Sequence, residues 1–198
     1  DLLRNYKTIG FQASHLGKAA DIIQSIKQKK ASIFLSCTSN MASSGLREII
    51  AQLVKERVLA AIVTTTGFIE EDFMKSMKPF YLGSFTADDT LIRRNAMNRL
   101  GNILIPDKQY ADFEDWHMDF IARVVKEKNI IAPSDYIRMM GEELHDENSI
   151  LYQAAKNNIP MFCPGFVDGA MGDDFFFYNQ KSSSSGHQAS HGCTPLPS

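Results

Sequence analysis

Ser32-Ile33-Phe34-Leu35-Ser36-Cys37 is a short apolar run. Thr38-Ser39-Asn40-Met41-Ala42-Ser43-Ser44-Gly45 follows it, and then Leu46, Ile49, Ile50, Leu53 and Val54 recur at helical spacing. The run is too short for a helix and reads as a buried strand, so the order is strand, small-residue loop, helix. The same order returns immediately. Residues 59–65 (LAAIVTT) end in β-branched residues and read as a second buried strand. Thr64-Thr65-Thr66-Gly67-Phe68 follows, with a short acidic helix over 69–77. Upstream, Leu16, Ala19, Ile22, Ile23 and Ile26 predict an amphipathic helix over 12–28. Downstream, residues 102–105 are a third strand candidate ended by Pro106, and Phe113, Trp116, Phe120, Ile121, Val124 and Val125 mark a helix over 110–128. Ser134 suits the N-cap of a helix reaching Leu144, a further helix covers 149–157, and 160–163 enters a strand. Strands alternating with helices of this length imply an α/β fold with a mostly parallel sheet flanked by helices.

The 198 residues carry 21 basic and 23 acidic side chains, a net charge of −2. That balance argues against bulk nucleic-acid or anionic-membrane binding. The longest apolar run, residues 58–63, is far short of the ~20 residues that span a bilayer. Cys37, Cys163 and Cys193 form no CxxC pair, so neither a disulfide scaffold nor a metal site is indicated. Free thiols and no opening signal sequence suit the cytoplasm. The chain opens at Asp1 rather than Met, which suggests a piece of a longer protein. Residues 182–198 hold no charged side chain and six serines, and are expected to be disordered.

Ligands of open α/β sheets bind beyond the carboxyl ends of the strands. Residues 38–45 offer small side chains, hydroxyls and the free amides of a helix start, which could cradle a pyrophosphate, although the segment is not a GxGxxG and its spacing alone favours an ordinary capped loop. Thr64–Thr66 with Gly67 could form a second nucleotide-contacting loop or simply end a strand. Glu70, Glu71 and Asp72 either suit a cationic substrate or satisfy a helix dipole. After the late strand, Asp168 and Asp173, five residues apart with glycines between, could point into a crevice or mark routine Asp-Gly turns. His15, His117 and His145 are expected on helices, at or near the surface, and Trp116 in the core.

Together these segments resemble deoxyhypusine synthase. The likeness runs through Thr8-Ile9-Gly10-Phe11-Gln12-Ala13, residues 38–48, Val63-Thr64-Thr65-Thr66-Gly67 and Glu70-Glu71-Asp72. It continues through Tyr81-Leu82-Gly83, Asn98-Arg99-Leu100-Gly101-Asn102, residues 110–116 (YADFEDW), residues 157–164 and Asp168-Gly169-Ala170-Met171-Gly172-Asp173. These motifs keep the family's order over residues 8–181, expected as one partial Rossmann-like, NAD-binding domain without the family's last strands.

The resemblance implies that NAD oxidises spermidine, that an aminobutyl group passes to an enzyme lysine and on to a lysine of the translation initiation factor 5A precursor, and that the same nicotinamide reduces the product. It places nucleotide contacts on Ser39, Asn40, Met41, Ala42, Ser43, Thr65, Thr66, Gly67, Glu71 and Asp168. Polyamine contacts fall on Glu70, Glu71 and Asp173. Phe68, where the family usually has a second small glycine, and Gly165-Phe166-Val167 are departures that could narrow the pocket. The family's GGG-x-x-KHH segment with its catalytic lysine has no counterpart here, so no catalytic residue is assigned and the chain alone is expected to be inactive. Association with another copy or a full-length family subunit is expected, since the aromatics Phe175, Phe176, Phe177 and Tyr178 have little downstream to bury them. The alternative is a regulatory subunit that binds NAD or a complete paralogue without catalysis.

Overall fold

The structure is a computed structural model and describes residues 2–184. The chain divides into two compact units, Asp1–Phe34 and Leu35–Ser198. The first holds α1 (Leu2–Asn5), a 3-10 turn (Tyr6–Thr8) and α2 (Gln12–Gln28). Gly17 of α2 is where the turn comes close: a Cβ there would lie 2.8 Å from Lys7 Cγ. Lys7 also pairs with Asp21. The periodicity of α2 is correct, but its stripe is not core: Leu16, Ile22 and Ile23 are exposed.

From Phe34 onward the chain runs β1 (Phe34–Ser36), a π-helical turn (Ala42–Leu46), α3 (Arg47–Lys55), β2 (Ala61–Val63), α4 (Thr66–Met77), β3 (Tyr81–Leu82), α5 (Asp89–Arg94), β4 (Met97–Leu100), β5 (Ile103–Pro106), α6 (Asp107–Glu127), α7 (Pro133–Glu142), α8 (Ile150–Asn157), β6 (Met161–Phe162) and α9 (Ala170–Ser184). The main sheet has the order β1-β2-β6. β2 and β6 are parallel, with Ile62 opposite Met161 and Val63 opposite Phe162. This is an α/β fold with a parallel pair flanked by helices, as the alternation requires.

Several details depart from the sequence reading. β1 is an edge strand rather than a buried one, and Phe34 is 67% exposed. The third strand candidate does not join the main sheet. It becomes β5, in an antiparallel sheet of order β3-β5-β4. A two-residue turn, Gly101-Asn102, links β4 to β5, and Gly101 takes the positive φ of 63° that such hairpin turns demand. α4 starts three residues earlier than its acidic stretch suggested. α7 starts with Pro133 at its first turn and Ala132 at the cap, so Ser134 is not the cap. His145 lies in the loop after α7. α9, unread in the sequence, continues through Ser184, and the rest of the expected tail, 185–198, lies outside the described residues.

Core formation centres on α4. Phe68, Ile69, Phe73 and Met74 are buried, together with Ile62, Phe113, Phe120 and Ile121. Each such side chain contributes about 1.5–3 kcal/mol on burial. Trp116 is half-buried and lies against Phe73, ring centroids 3.9 Å apart. No helix among the described residues is long and apolar enough to cross a membrane.

Candidate functional site

Three strand-end segments converge on the first two turns of α4. From the β1 end, Ser39 lies against Gly67: a Cβ on Gly67 would come 3.2 Å from Ser39 Cβ. From the β6 end, Gly165 accepts a hydrogen bond from Thr66 Oγ1 at 2.6 Å. Gly169 packs so closely that a Cβ would stand 2.8 Å from Glu70 Oε1. The 39–43 segment winds into the π-helical turn, whose backbone breaks at Gly45 (φ 87°) before α3 begins. Lys75 Nζ secures that turn by donating to the carbonyls of Ala42 (2.8 Å) and Ser43 (3.0 Å).

Glu70, Glu71 and Asp72 are consecutive, all buried, and each meets a different environment. Glu70 Oε1 accepts the Met171 amide at 2.8 Å, at the start of α9, where unpaired amides favour an anion. Burial nevertheless raises its pKa; the amides of Met171 and Ala170 offset part of this, and the charges of Asp174 and Asp173 add to it. Glu71 Oε2 has no hydrogen-bond partner among the described residues. Burial pushes Glu71 up to about 7, with Ser43 and Lys75 lowering it and Glu70 raising it. Asp72 is fully saturated: it accepts from Arg47 Nε (2.6 Å), Ser149 Oγ (2.7 Å) and the amides of Ile150 (3.1 Å) and Leu151 (2.8 Å). Asp72 therefore belongs to the scaffold.

Of the nominated nucleotide residues, Ser39 and Met41 are half-buried, Ala42, Ser43 and Thr66 are buried, and Gly67 is half-buried beside Ser39. Asn40, Thr65 and Asp168 are exposed, as is Asp173 in the first turn of α9. Phe68 corrects an expectation: it is 0% exposed and faces the core, so it does not narrow a pocket. Phe166 likewise packs on Tyr136 and Phe175, and Val167 is exposed. The fold also enlists residues that were not nominated. Lys75 stands four residues after Glu71, a spacing that could have flagged it. Tyr110, in the first turns of α6, is raised by burial and by the nearby charges of Glu71 and Glu70; no local pattern announces it. His117 is neither at the surface nor half-buried but 0% exposed, bonded to Asp174 and Tyr136. Phe175 packs into this cluster, leaving Phe176 and Phe177 exposed.

The arrangement is that of an α/β protein with small-residue loops at its strand ends, beside two adjacent buried carboxylates, Glu70 and Glu71. The deoxyhypusine synthase family model matches residues 1–190. The chain is 42% identical over 180 residues to "Probable deoxyhypusine synthase" of Halobacterium salinarum, covering 91% of this chain and 54% of that one. It is 44% identical over 196 residues to its Thermococcus gammatolerans counterpart (91% and 58%), and 42% identical over 185 residues to the deoxyhypusine synthase of Encephalitozoon cuniculi (91% and 55%). The crystal structure of a protein assigned as a deoxyhypusine synthase from Entamoeba histolytica superposes with a TM-score of 0.71 at 30% identity, covering 90% of this chain and 62% of that one. This chain belongs to the deoxyhypusine synthase family, and it spans about half the length of the curated relatives it matches.

Proposed function

We propose that this chain supplies the nucleotide-binding and polyamine-binding half of a deoxyhypusine synthase site. The reaction is NAD-dependent transfer of the aminobutyl group of spermidine to a lysine of the translation initiation factor 5A precursor. The observation that carries this reading is Glu71, a buried carboxylate with a bare oxygen beside a second buried carboxylate. An ammonium group brought to that oxygen would favour the ionised form and repay its desolvation.

The residues present fit NAD. Ser39–Ser43 and Thr65–Gly67 give two small-residue loops that meet where Gly67 packs on Ser39, and Asp168 lies in the loop after β6. NAD held there would supply the hydride acceptor and, later, the donor. Glu70, Glu71 and Asp173 would hold the ammonium groups of spermidine, and burial of the first two excludes water from the amine being oxidised. The nucleophilic lysine would come from a segment or subunit beyond these 198 residues, in a homo- or hetero-oligomer of family subunits.

Calorimetric titration of the chain with NAD and then spermidine tests the reading. Binding of both is expected, and Glu71→Gln should weaken spermidine by about 1.5–3 kcal/mol, the range for a charge-assisted hydrogen bond. Incubation with NAD, labelled spermidine and the factor precursor should leave the precursor unlabelled until a full-length family subunit is added. No heat with millimolar NAD and spermidine, or labelling by this chain alone, would sink the proposal.

A further inference from the structure

His117 of α6 makes two buried bonds: Nδ1 lies 2.7 Å from Asp174 Oδ2 and Nε2 lies 2.8 Å from Tyr136 OH. The ring is stacked on Phe113 (centroids 5.5 Å, planes 7° apart) and meets Tyr136 and Phe175 edge-on. It cannot flip without breaking both bonds. Nδ1 faces the Asp174 carboxylate and Nε2 faces the Tyr136 hydroxyl, so the tautomer with Nδ1–H toward Asp174 and the Tyr136 hydroxyl donating to Nε2 satisfies both contacts at once. Asp174 sits in the first turns of α9, three residues from Met171, whose amide donates to Glu70. The start of α9 is thus pinned at two points, by Glu70 of α4 and by His117 of α6.

Stability alone does not explain the second pin. A buried carboxylate carries a desolvation cost, and apolar residues of similar volume usually do as well or better. What a polar pair adds is a single arrangement. Successive helical residues turn by 100°, so fixing Asp174 against α6 also fixes where Asp173 and the Met171 amide point. The charge of Asp174 also acts on Glu70.

We propose that the Tyr136–His117–Asp174 chain is a positioning device that sets the rotation of α9, and thereby the placement of Glu70 and Asp173 toward a polyamine. The proposal rests on the reading of those carboxylates as the polyamine end of the site. His117 touches no ligand in this role; it is a positioning residue.

The double variant His117→Phe/Asp174→Leu fills the same space without polar groups. It is expected to melt at or above the wild-type temperature. Hydrogen exchange at the Met171 amide should nevertheless accelerate, relative to that of Ile62 in β2, and spermidine affinity should fall about tenfold, the effect of losing one well-placed charged contact. NAD affinity should be unchanged. A stable double variant with wild-type protection at Met171, or with equal losses of NAD and spermidine, would overturn the proposal. If the wild-type chain takes up no spermidine, the functional reading fails, while exchange at Met171 still decides the positioning claim. The wild type also offers a check that needs no variant: 15N spectra should show His117 protonated at Nδ1 in one fixed tautomer. A ring averaging over both tautomers would end the idea.

Discussion

Asp72 and Glu71 are neighbours on α4, both almost wholly withdrawn from water, yet their surroundings are opposite. On one face of the helix, Asp72 fills its acceptor sites with Arg47, Ser149 and two amides of α8, and Arg47 Nη2 also donates to Ser76 Oγ (2.6 Å) and Asp146 Oδ2 (2.7 Å). On the other face, Glu71 keeps one oxygen without a partner and shares its surroundings with Glu70. Sequence proximity and equal burial therefore say little about role. Saturation separates them: the carboxylate of Asp72 has its oxygens engaged and holds helices together, while that of Glu71 is left one partner short.

The contrast can be broken most forcefully at Asp72. Asp72→Ala leaves the Arg47 guanidinium buried without its main partner and takes the acceptor from the Ile150 and Leu151 amides of α8, so a loss of about 3–5 kcal/mol is expected in denaturant unfolding. A loss below that of an ordinary surface change would mean that the cluster is not structural. Glu71 should behave in the opposite sense. Its pKa rises from 4.5 to about 7 on folding. The ionised form is thus the one disfavoured in the fold: its destabilising effect is absent below pH 4.5, grows between 4.5 and about 7, and is complete above. Glu71→Gln should match the wild type near pH 4.5 and be more stable at pH 8, by on the order of 1–3 kcal/mol. Melting curves at the two pH values decide this, and a variant less stable than wild type at pH 8 would contradict the description of Glu71.

Ser149 sharpens the structural side. Its hydroxyl donates to Asp72 and accepts the Tyr152 amide at 3.0 Å as the N-cap of α8. Ser149→Ala should cost about 1–2 kcal/mol in chemical denaturation, less than losing Asp72 because the carboxylate keeps its other donors. The smallest effect belongs to the exposed pair Arg138–Glu142 on α7. Arg138→Gln should change unfolding free energy by under about 0.5 kcal/mol. A larger change there would show that exposure is a poorer guide than saturation.

Much of the scaffold was legible in residue order. The two strand–loop–helix repeats at 32–54 and 59–77 announced a parallel sheet with small-residue loops at its strand ends, because apolar runs too short for helices alternated with helical stripes. The small-residue loops at the strand ends were legible as well, through their composition and the ordered motifs of the resemblance. The antiparallel sheet was not: β3 has two residues, and the Gly101-Asn102 turn signal lay inside a stretch read as motif rather than as hairpin. α9 was missed because its aromatics Phe175, Phe176, Phe177 and Tyr178 run consecutively instead of every three or four residues. The burial of His117 left no local trace, since both of its partners lie on other helices.

By itself, then, the sequence determined the α/β class, the succession of most helices and the family, all of which depend on local periodicity or on short contiguous motifs. Only the tertiary structure decided which of three adjacent acids is scaffold and which is left wanting a partner. That depends on donors 25 to 101 residues away, Arg47, Ser149 and the Met171 amide, whose arrival at one helix is a property of packing and is written in no local pattern.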